Sequence, residues 1–539
     1  MLKRNLPIIA IVLLAAVLRL YHLNKVPPSL NWDEIANGYN AYSILKTGKD
    51  EFGSKLPLAF RSYDDYKNPL YIYAVVPSIT VFGLNDFSVR LPSVIIGTLT
   101  ILTTYLMTKE LFKNKNIALF SALFLAVSPW HLQLSRVAFD TNAAILWFTL
   151  GIWAFIKGTK SQSKKTLAWF SITSLAFGLN LFTYHTARVY VPPFSLFLIF
   201  LYRKELQNIK KYLILPAIIA ATFAICLLPL IFSTAGQQRY QGTTIFGDKS
   251  LHFKSAELIA QDEKNGQKFT GRVLHNRRFV YIPKLIENYL SHFSSNFLFF
   301  DADLEIHHAP EIGLLYLWDL PFIVAGAYFL IRGNFDQKTK LLLIFWFLTA
   351  PIASAITWEA PHARRSEMFL PVYQILAAIG VLTLISYTKR KTLLTTLIFS
   401  ALFLNVAFYL HQYHKHLPLE FAKSWLYGRK EAVMFTETNK QNYEKVIVST
   451  KLEQPHEFWL YYSKYDPQKY LEEGGTISGG FLETRNKFDK YYFKPIEYEK
   501  QKQEAKTLFV TLPSELPSNT TLLKVIKYPN GEDAIYIFN

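Results

Sequence analysis

Residues 6–20 read LPIIAIVLLAAVLRL, and the acidic pair Asp33-Glu34 follows in the stretch Asn31-Trp32-Asp33-Glu34. A carboxylate at the exit of a membrane helix is costly unless it is solvated or has a function. Apolar runs of roughly 17–22 residues, the length that crosses a bilayer as a helix, recur along the chain. These runs predict an α-helical polytopic membrane protein with the acidic pair just outside its first span.

The positive charge is grouped, and its grouping indicates membrane topology. The chain has 539 residues, is 51% hydrophobic and 16% aromatic, and carries a net charge of +18. Much of this charge lies in short clusters between apolar runs, such as Lys113/Lys115 and Lys389-Arg390-Lys391. Because short loops rich in Lys and Arg stay in the cytoplasm, the charge is assigned to topology and not to nucleic-acid binding. The single cysteine, Cys226, excludes an intrachain disulfide.

The basic clusters orient the predicted spans in the cytoplasmic membrane. With Lys3/Arg4 on the cytoplasmic side, the apolar start is an uncleaved first span, since no small-residue cleavage site follows it. The short run 69–82 is interpreted as a helix at the membrane interface, which makes 21–90 and 233–313 the long outer loops. A count one higher or lower than eleven is the alternative. The predicted spans are 6–20, 91–111, 116–130, 141–155, 167–182, 190–202, 213–232, 314–331, 341–357, 369–386 and 393–410.

The C-terminal stretch differs in character from the rest of the chain. Residues 411–539 are polar and rich in Lys, Glu and Tyr, with short β-branched runs at 446–448, 508–510 and 534–537. This pattern predicts a small soluble α/β domain outside the cytoplasm. The predicted domains are therefore a transmembrane domain, 1–410, and an extracytoplasmic domain, 411–539.

The predicted topology gathers ionisable groups in the outer loops. Cations at headgroup depth bind phosphate or pyrophosphate. A carboxylate can take a proton from an acceptor hydroxyl while a phosphate leaves, stabilised by Arg or Lys. The pattern therefore predicts a reaction on a lipid-linked anion. The acids are Asp33, Glu34 and Asp140, the cations are Lys67, Arg188, Arg364 and Arg365, and the histidines are His185, His307, His308 and His362.

Each of these groups also has a non-catalytic interpretation. Considered by itself, Asp33 is typical of a solvated acid. Asp140 is typical of the N-cap of the fourth span, because Asp is preferred at N-cap positions. The pair Arg364-Arg365 is explained as a membrane-interface anchor. His185, His307 and His308 are explained as hydrogen-bonded structural residues, and Asp64-Asp65 as a solvated turn. The catalytic interpretation depends on the convergence of several such groups on one side of the membrane.

Several short motifs occur in a fixed order along the first 200 residues. Asp33-Glu34 follows the first span, KNPLY stands at 67–71, RLPS at 90–93, and SR at 135–136 precedes Asp140. In this order and spacing the chain resembles the GT-C membrane glycosyltransferases, in the branch of protein mannosyltransferases and aminoarabinose transferases (glycosyltransferase family 39 and its relatives). The resemblance covers about residues 5–200 well and is looser to about residue 410.

The resemblance implies roles for four of the predicted site residues. It implies that Asp33 is the catalytic base, with Glu34 as a neighbour that tunes or orients it. It implies that Asp140 is an acceptor-orienting or metal-associated acid, and that Lys67 lies near the lipid phosphate. The implied donor is a sugar on a polyprenyl or dolichyl monophosphate, and the implied transfer inverts the anomeric centre.

The chain departs from the pattern of this branch at two places. Asn68 replaces a proline, and YHTAR at 184–188 stands where many relatives have a Lys-Gly pair. At 184–188, the resemblance implies that Arg188 takes the phosphate-binding role. PHARR at 361–365 resembles a Pro-His-x-x-Arg pattern of bacterial relatives. The donor-binding role of its histidine and arginines is inferred from charge and position.

The combined prediction is an integral membrane glycosyltransferase that moves one sugar to an acceptor glycan, lipid or protein on the outer face. A divalent metal shared by Asp33 and Asp140 is left open, because two acids from distant loops do not form a metal motif. The rival interpretations are a transporter or flippase of lipid-linked sugars and a non-catalytic relative. Transporters usually carry charges near the membrane midplane in repeated halves, whereas these charges crowd the outer rim.

Overall fold

Helices make up most of the structure, and apolar helices stand where the hydrophobic runs predict membrane spans. The computed structural model describes residues 2–63, 65–161, 164–247, 249–276, 278–480, 483–518 and 520–539, so Asp64 of the predicted Asp64-Asp65 turn lies outside the described residues. The helices are α1 Leu2–Leu20, α2 Trp32–Thr47, α3 Pro69–Phe82, α4 Asp86–Phe112, α5 Lys115–Val127, α6 Pro129–Leu134, α7 Thr141–Thr159, α8 Lys164–Leu181, α9 Ala187–Leu201, α10 Arg203–Asn208, α11 Ile214–Phe232, α12 Thr234–Thr243, α13 Lys249–Lys264, α14 Lys268–Leu274, α15 Tyr281–Ser291, α16 Asp319–Arg332, α17 Gln337–Thr349, α18 Ile352–Ala355, α19 Val372–Tyr387, α20 Lys391–His411, α21 Leu417–Glu420, α22 Arg429–Asn439, α23 Pro455–Tyr462, α24 Pro467–Glu472 and α25 Tyr498–Glu504.

Helices overlap all of the predicted membrane spans. Within the described residues, five helical stretches are long and apolar enough to cross a membrane by length and composition. Shorter apolar helices occur in the first, third and sixth predicted spans and at Pro69–Phe82. The structure thus supports a multi-pass membrane protein, while the number of eleven spans stays a prediction. The five stretches are Asp86–Phe112, Ile214–Phe232, Gln337–Ala355, Glu367–Tyr387 and Lys391–Glu420.

The two segments predicted as long outer loops contain regular structure. Residues 21–90 include α2, a β-hairpin and α3, and residues 233–313 include α12 to α15. The helix expected at 69–82 is present as α3, which begins with Pro69 at a position where a missing N–H costs nothing. Its place at the membrane interface stays a prediction.

Contacts divide the chain into two units, each built from separate segments. The first unit comprises residues 2–11, 100–131 and 144–402, and the second comprises residues 12–99, 132–143 and 403–539. The division into domains 1–410 and 411–539 stays a prediction. The second unit combines the segment after the first span with the C-terminal residues, because they share one hydrophobic core.

The first unit is a bundle in which α19 is the central helix. It packs against α16 and α5, while α8 packs against α11. A Cβ on Gly326 would lie 1.8 Å from the carbonyl oxygen of Leu376, and a Cβ on Gly380 would lie 2.1 Å from that of Phe322. Glycine at both positions therefore lets the backbones of α16 and α19 touch, as in close helix pairs of membrane proteins.

The core of the second unit joins α2 to the C-terminal residues. Helix α2 packs against α3, α23 and α24. Its Gly38 receives the ring of Tyr461, which would lie 2.5 Å from an added Cβ. Trp459 and Phe458 are fully buried in the same cluster as Ile35. The C-terminal residues are therefore packed directly behind the acidic pair at the start of α2.

A six-stranded mixed sheet completes the second unit. Its order is β4-β5-β3-β6-β8-β7, with β3 parallel to β5 and β6 and the other pairs antiparallel. The strands predicted at 446–448, 508–510 and 534–537 are present as β3, β6 and β8. The strands are β1 Phe60–Ser62, β2 Asp65–Lys67, β3 Lys445–Val448, β4 Lys487–Phe488, β5 Tyr491–Phe493, β6 Thr507–Thr511, β7 Leu522–Lys527 and β8 Asp533–Phe538, of which β1 and β2 form the separate hairpin.

Candidate active site

The acidic pair lies in the first turn of α2. The Asn31 side chain accepts a hydrogen bond from the backbone N–H of Glu34 at 3.1 Å, and the Glu34 carboxylate accepts one from the Asn31 N–H at 3.1 Å. This reciprocal pair is a capping box, which fixes where the helix begins. Negative charge is also favoured at a helix N-terminus. The local sequence therefore holds the backbone of Asp33 in one geometry.

The Glu34 carboxylate is enclosed and links three segments. Arg90 donates from Nε to Oε1 at 2.8 Å and from Nη2 to Oε2 at 3.0 Å, with side-chain exposures of 1% and 0%. The backbone N–H of Ala138 also donates to Oε1 at 3.0 Å. Because no part of this carboxylate reaches the surface, we interpret Glu34 as a positioning residue and not as a group that touches substrate.

Two buried arginines fix the chain between the first span and α2. Arg90 donates to three backbone carbonyls between residues 23 and 29 at 2.6–3.1 Å. Arg136 donates to four backbone carbonyls between residues 18 and 26 at 2.7–3.0 Å. Arg136 is fully buried, and two of these carbonyls, those of Leu18 and Arg19, belong to the last turn of α1. The segment that leads to Asp33 is therefore anchored at several points.

Asp33 differs from its neighbour because its carboxylate reaches the surface. Its side chain is 35% exposed, and Oδ1 lies 3.1 Å from Nζ of Lys67. Lys67 also donates to the backbone carbonyl of Asp33 at 3.1 Å. The cation predicted to lie near the lipid phosphate is thus paired with the predicted base. A partly exposed carboxylate held by a lysine and a helix start can accept a proton from a bound hydroxyl.

Asp140 directly precedes α7, the position expected for an N-cap. Its backbone carbonyl accepts from the N–H of Ala143 at 3.1 Å. Two residues earlier, the Ala138 carbonyl accepts from the Asn37 side chain at 3.0 Å, and its N–H bonds to Glu34. Side chains of α2 therefore fix the segment that carries Asp140. A metal shared by Asp33 and Asp140 stays a prediction.

A buried acid from the C-terminal residues lies behind the start of α2. The Tyr63 hydroxyl donates to Oε2 of Glu457 at 2.5 Å and lies 2.8 Å from the carbonyl oxygen of Trp32. Burial, and then the charge of Glu51, raise the pKa of the Glu457 carboxyl well above its usual value. Burial likewise raises the pKa of Tyr63. Tyr63 therefore connects the residue before Asp33 to α23.

Replacing Glu51 by Gln is expected to stabilise the protein above pH 7 and to leave its stability at pH 4.5 unchanged. Burial raises the pKa of Glu51 to about 7. An acid whose pKa is higher in the folded state stabilises that state fully below its unfolded-state pKa. This stabilisation is lost as pH rises through the folded-state pKa. For Glu51 the free energy of unfolding changes by about 3 kcal/mol. Thermal unfolding of the purified variant and wild type between pH 4.5 and 8.5 measures it. Equal stability of the two proteins across this range would contradict the raised pKa.

The first unit carries a cavity lined by two of the predicted phosphate-binding arginines. It has a volume of about 450 Å³, and Arg188, Arg365 and His185 line it together with apolar and polar side chains from α11, α12 and the segment after α18. Ligand pockets of this size are common in proteins. Arg365 donates to the Thr357 hydroxyl at 2.8 Å and to Oε2 of Glu359 at 2.5 Å. Arg188 and Arg365 thus line one space that an anion could enter.

The remaining predicted residues of the first unit lie elsewhere in it. His308 bonds through Nδ1 to the carbonyl of Ala309 at 2.9 Å, as expected of a structural histidine. His307 and His362 lie against the carboxylate of Asp303. Arg364 is half-buried and does not line the cavity that contains Arg365. The structure therefore brings together three of the predicted side chains at the cavity and separates the other four from it.

Sequence reasoning missed the acids that are buried beside the predicted residues. Glu457 stands in the aromatic run PHEFWLYY at 455–462, where a lone acid is unusual enough to be a signal. Asp303 precedes His307 by four residues in DADLEIHH at 301–308, and an acid and two histidines so close together in sequence are a signal for paired or metal-binding side chains. The partnership of Glu34 with Arg90 had no signal in the sequence beyond the motifs themselves.

Comparison with known proteins agrees with the predicted resemblance. Residues 67–228 match the family described as dolichyl-phosphate-mannose-protein mannosyltransferase. An uncharacterized protein of Aquifex aeolicus (strain VF5) is 28% identical over 148 residues, which are 27% of this chain and 29% of that protein. The match thus spans less than a third of this relative.

Two solved structures share the fold. ArnT from Cupriavidus metallidurans, bound to undecaprenyl phosphate, matches with a TM-score of 0.54 at 11% identity, over 98% of this chain and 97% of that chain. The oligosaccharyltransferase AglB from Archaeoglobus fulgidus, in complex with an inhibitory peptide and a dolichol-phosphate, matches with a TM-score of 0.51 at 14% identity, over 86% of this chain and 64% of that chain. The chain therefore spans less than two thirds of AglB. The family match and this shared fold confirm the resemblance to the GT-C mannosyltransferase and ArnT-like branch.

Proposed function

We propose that this chain, which has the GT-C fold and a mannosyltransferase family match, is a membrane glycosyltransferase that uses a polyprenyl-phosphate sugar. It transfers the sugar to an acceptor hydroxyl at the outer face of the cytoplasmic membrane and inverts the anomeric centre. The donor class is supported by the undecaprenyl phosphate and dolichol-phosphate in the two structural relatives. The N-terminus is cytoplasmic in this proposal, and the C-terminal residues are extracytoplasmic.

The observation that carries the proposal is the Asp33 carboxylate. It is partly exposed, while the capping box and the Glu34–Arg90 pair hold its backbone and Lys67 holds its side chain. In the proposed step, Asp33 takes the proton of the acceptor hydroxyl as its oxygen bonds to the anomeric carbon. The bond from that carbon to the phosphate oxygen breaks, and polyprenyl phosphate leaves with the electron pair. Asp140 orients the acceptor.

The cations of the first unit bind the donor phosphate in this proposal. Arg188 and Arg365 line one cavity, and guanidinium groups bind phosphate oxygens through two parallel N–H donors. Glu359, which is 64% exposed, now accepts from Arg365 and competes with an incoming phosphate. His185 lies beside Arg188, with its Nδ1 3.1 Å from a guanidinium nitrogen. The polyprenyl tail lies among membrane lipids in this arrangement.

Replacing Arg365 by Ala is expected to weaken the binding of undecaprenyl phosphate by about 10–100-fold, the loss of one charge-assisted hydrogen-bond partner. Glu359→Gln is expected to strengthen the binding, because it removes the anion that competes for Arg365. Titration of the purified protein in detergent with the lipid phosphate measures both effects.

The matched control for these variants is Arg332→Ala. Arg332 is an exposed arginine at the end of α16 that does not line the cavity, so its loss should leave the affinity unchanged. Equal affinity of wild type and Arg365→Ala would exclude the cavity as the phosphate site. A drop of the same size in Arg332→Ala would indicate unspecific charge attraction.

Reconstitution into liposomes separates the enzyme from the rival transporter. The liposomes are supplied with a labelled polyprenyl-phosphate sugar and a panel of glycan, lipid and peptide acceptors. We expect a product with inverted configuration and the release of polyprenyl phosphate. Movement of labelled donor across the bilayer without any release would support a flippase. Neither activity, in protein that still binds undecaprenyl phosphate, would support a non-catalytic relative.

A further inference from the structure

Three side chains of the first unit direct potential metal-ligating atoms at one point. Asp303 and His307 stand four residues apart, and His362 comes from the segment that follows α18. Nδ1 of His307 lies 2.9 Å from Oδ2 of Asp303, and Nδ1 of His362 lies 3.5 Å from the same oxygen. One ligand atom from each residue lies within 4.8 Å of the other two.

These distances match the spacing of ligands around one zinc ion. Zinc binds nitrogen and oxygen at about 2.0–2.2 Å in a tetrahedron, which places neighbouring ligand atoms about 3.3 Å apart. The two distances to the Asp303 oxygen, 2.9 and 3.5 Å, lie on either side of this value. One carboxylate and two imidazoles are also a donor set that zinc accepts.

A simple Asp–His ion pair explains only part of this arrangement. It accounts for His307, whose Nδ1 lies within hydrogen-bond distance of both Asp303 oxygens. It leaves Nδ1 of His362 buried without a hydrogen-bond partner among the described residues, although it faces the same carboxylate. At 3.5 Å and with both atoms buried, this contact is too long for a good hydrogen bond. A buried ring nitrogen without a hydrogen-bond partner indicates a bound water or ion, and a carboxylate with two imidazoles is a donor set that holds a cation.

The surroundings of the carboxylate favour a fixed site. The side chains of Asp303, His307 and His362 are 8%, 1% and 9% exposed. The backbone N–H of Ala363 donates to Oδ2 of Asp303 at 2.9 Å and so orients the carboxylate. Hydrogen bonds of this kind around the ligands raise metal affinity by fixing the ligand geometry.

We propose that Asp303, His307 and His362 bind one divalent transition-metal ion, for which Zn²⁺ has the best-matching geometry. The ion ties the segment 301–308 to the segment 358–365, which carries Arg364 and Arg365. With three protein ligands, the fourth position is open to water. This site contains neither Asp33 nor Asp140 and does not depend on the proposed transfer reaction.

The test is the metal content and metal affinity of the full-length protein in detergent. After removal of metal with a chelator and reloading with zinc, wild type is expected to retain about one zinc per chain after dialysis. His362→Ala is expected to lose the zinc. Loss of a hydrogen bond to a metal ligand lowers metal affinity by roughly 10–100-fold, and loss of the ligand itself should lower it further. Wild type loaded with Co²⁺ should show the visible absorption bands of a tetrahedral site, and these should be absent in His362→Ala.

Two control variants distinguish this site from others. His416→Ala removes a surface histidine paired with Glu420 and should keep the zinc. His456→Gln removes a member of the second candidate cluster, Glu51, His456 and Glu457, and should also keep it. Loss of zinc in His456→Gln together with retention in His362→Ala would overturn the proposal.

A variant that replaces one ligand by another keeps the test decisive if His362→Ala fails to fold. His362→Asp supplies an oxygen ligand and is expected to retain zinc with an altered Co²⁺ spectrum. Wild type that holds no zinc above the level of a buffer control, and shows no Co²⁺ bands, would overturn the proposal without any variant.

Discussion

Asp33→Asn is expected to lower the rate of sugar transfer by about 10²–10⁴-fold, the usual contribution of a general base. The amide oxygen of Asn can still accept the hydrogen bond from Lys67, which lies 3.1 Å from the carboxylate in wild type. The fold should therefore be kept, while the proton acceptor is lost. The measurement is the initial rate of polyprenyl-phosphate release by the purified variant at saturating donor, with the affinity for undecaprenyl phosphate measured in parallel.

The control for Asp33→Asn is an acid whose loss should not matter. Glu499→Gln removes a carboxylate on α25 that is 77% exposed and forms a surface pair with Lys502. Its transfer rate should equal that of wild type, because an exposed pair contributes little. A transfer rate of Asp33→Asn equal to that of wild type would exclude Asp33 as the base. A parallel loss of transfer and of the folded state would instead make Asp33 a structural residue.

Local sequence signals predicted secondary structure that is determined by residues close together in the chain. The helix over 69–82 and the strands at 446–448 and 508–510 could be read from composition and periodicity. The helix start that places Asp33 in the first turn of α2 was not predicted, although Asn31 and Glu34 have the spacing of a capping box.

Pairings between distant residues could not be predicted in the same way. Glu34 and Arg90 are 56 residues apart, and Tyr63 and Glu457 are 394 residues apart. The residues around Glu34 and Glu457 in sequence do not identify their partners in the structure. Glu34 was therefore expected to be a neighbour of the catalytic base, and Glu457 was not predicted as a residue near the site. Both acids are buried in the structure, and burial of an acid depends on the tertiary structure.

The packing of the C-terminal residues is a second example of contacts between distant parts of the chain that local sequence does not predict. The change in composition near residue 411 indicated a separate C-terminal domain. In the structure, Trp459 and Val446 of that stretch share a hydrophobic core with Ile35 and Tyr71. The apolar residues that form this core are distributed on both sides of the membrane helices in sequence. Composition marks where a segment changes character, but it does not identify the partner against which the segment packs.

Arg90→Met is expected to lower the free energy of unfolding by about 3–5 kcal/mol, the cost of leaving a buried charge without its partner. Both Glu34 and Arg90 are fully buried, and Arg90 also serves three backbone carbonyls. Methionine fills much of the same volume, so the loss should come from the unpaired Glu34 carboxylate and the three carbonyls. Chemical unfolding of the purified protein in detergent measures it, with Lys500→Met, which removes an exposed cation, as the control expected to change little.

The double variant Glu34→Gln, Arg90→Met separates the two causes of that loss. If the uncompensated Glu34 charge dominates, neutralising it should restore a large part of the lost stability, and the two substitutions should be strongly non-additive. If the three carbonyls dominate, the double variant should be no more stable than Arg90→Met. Since the capping box and the Glu34–Arg90 pair hold the start of α2, a folded double variant should still show a reduced transfer rate with Asp33 present. Full activity in that variant would show that Asp33 is positioned without the Glu34–Arg90 pair.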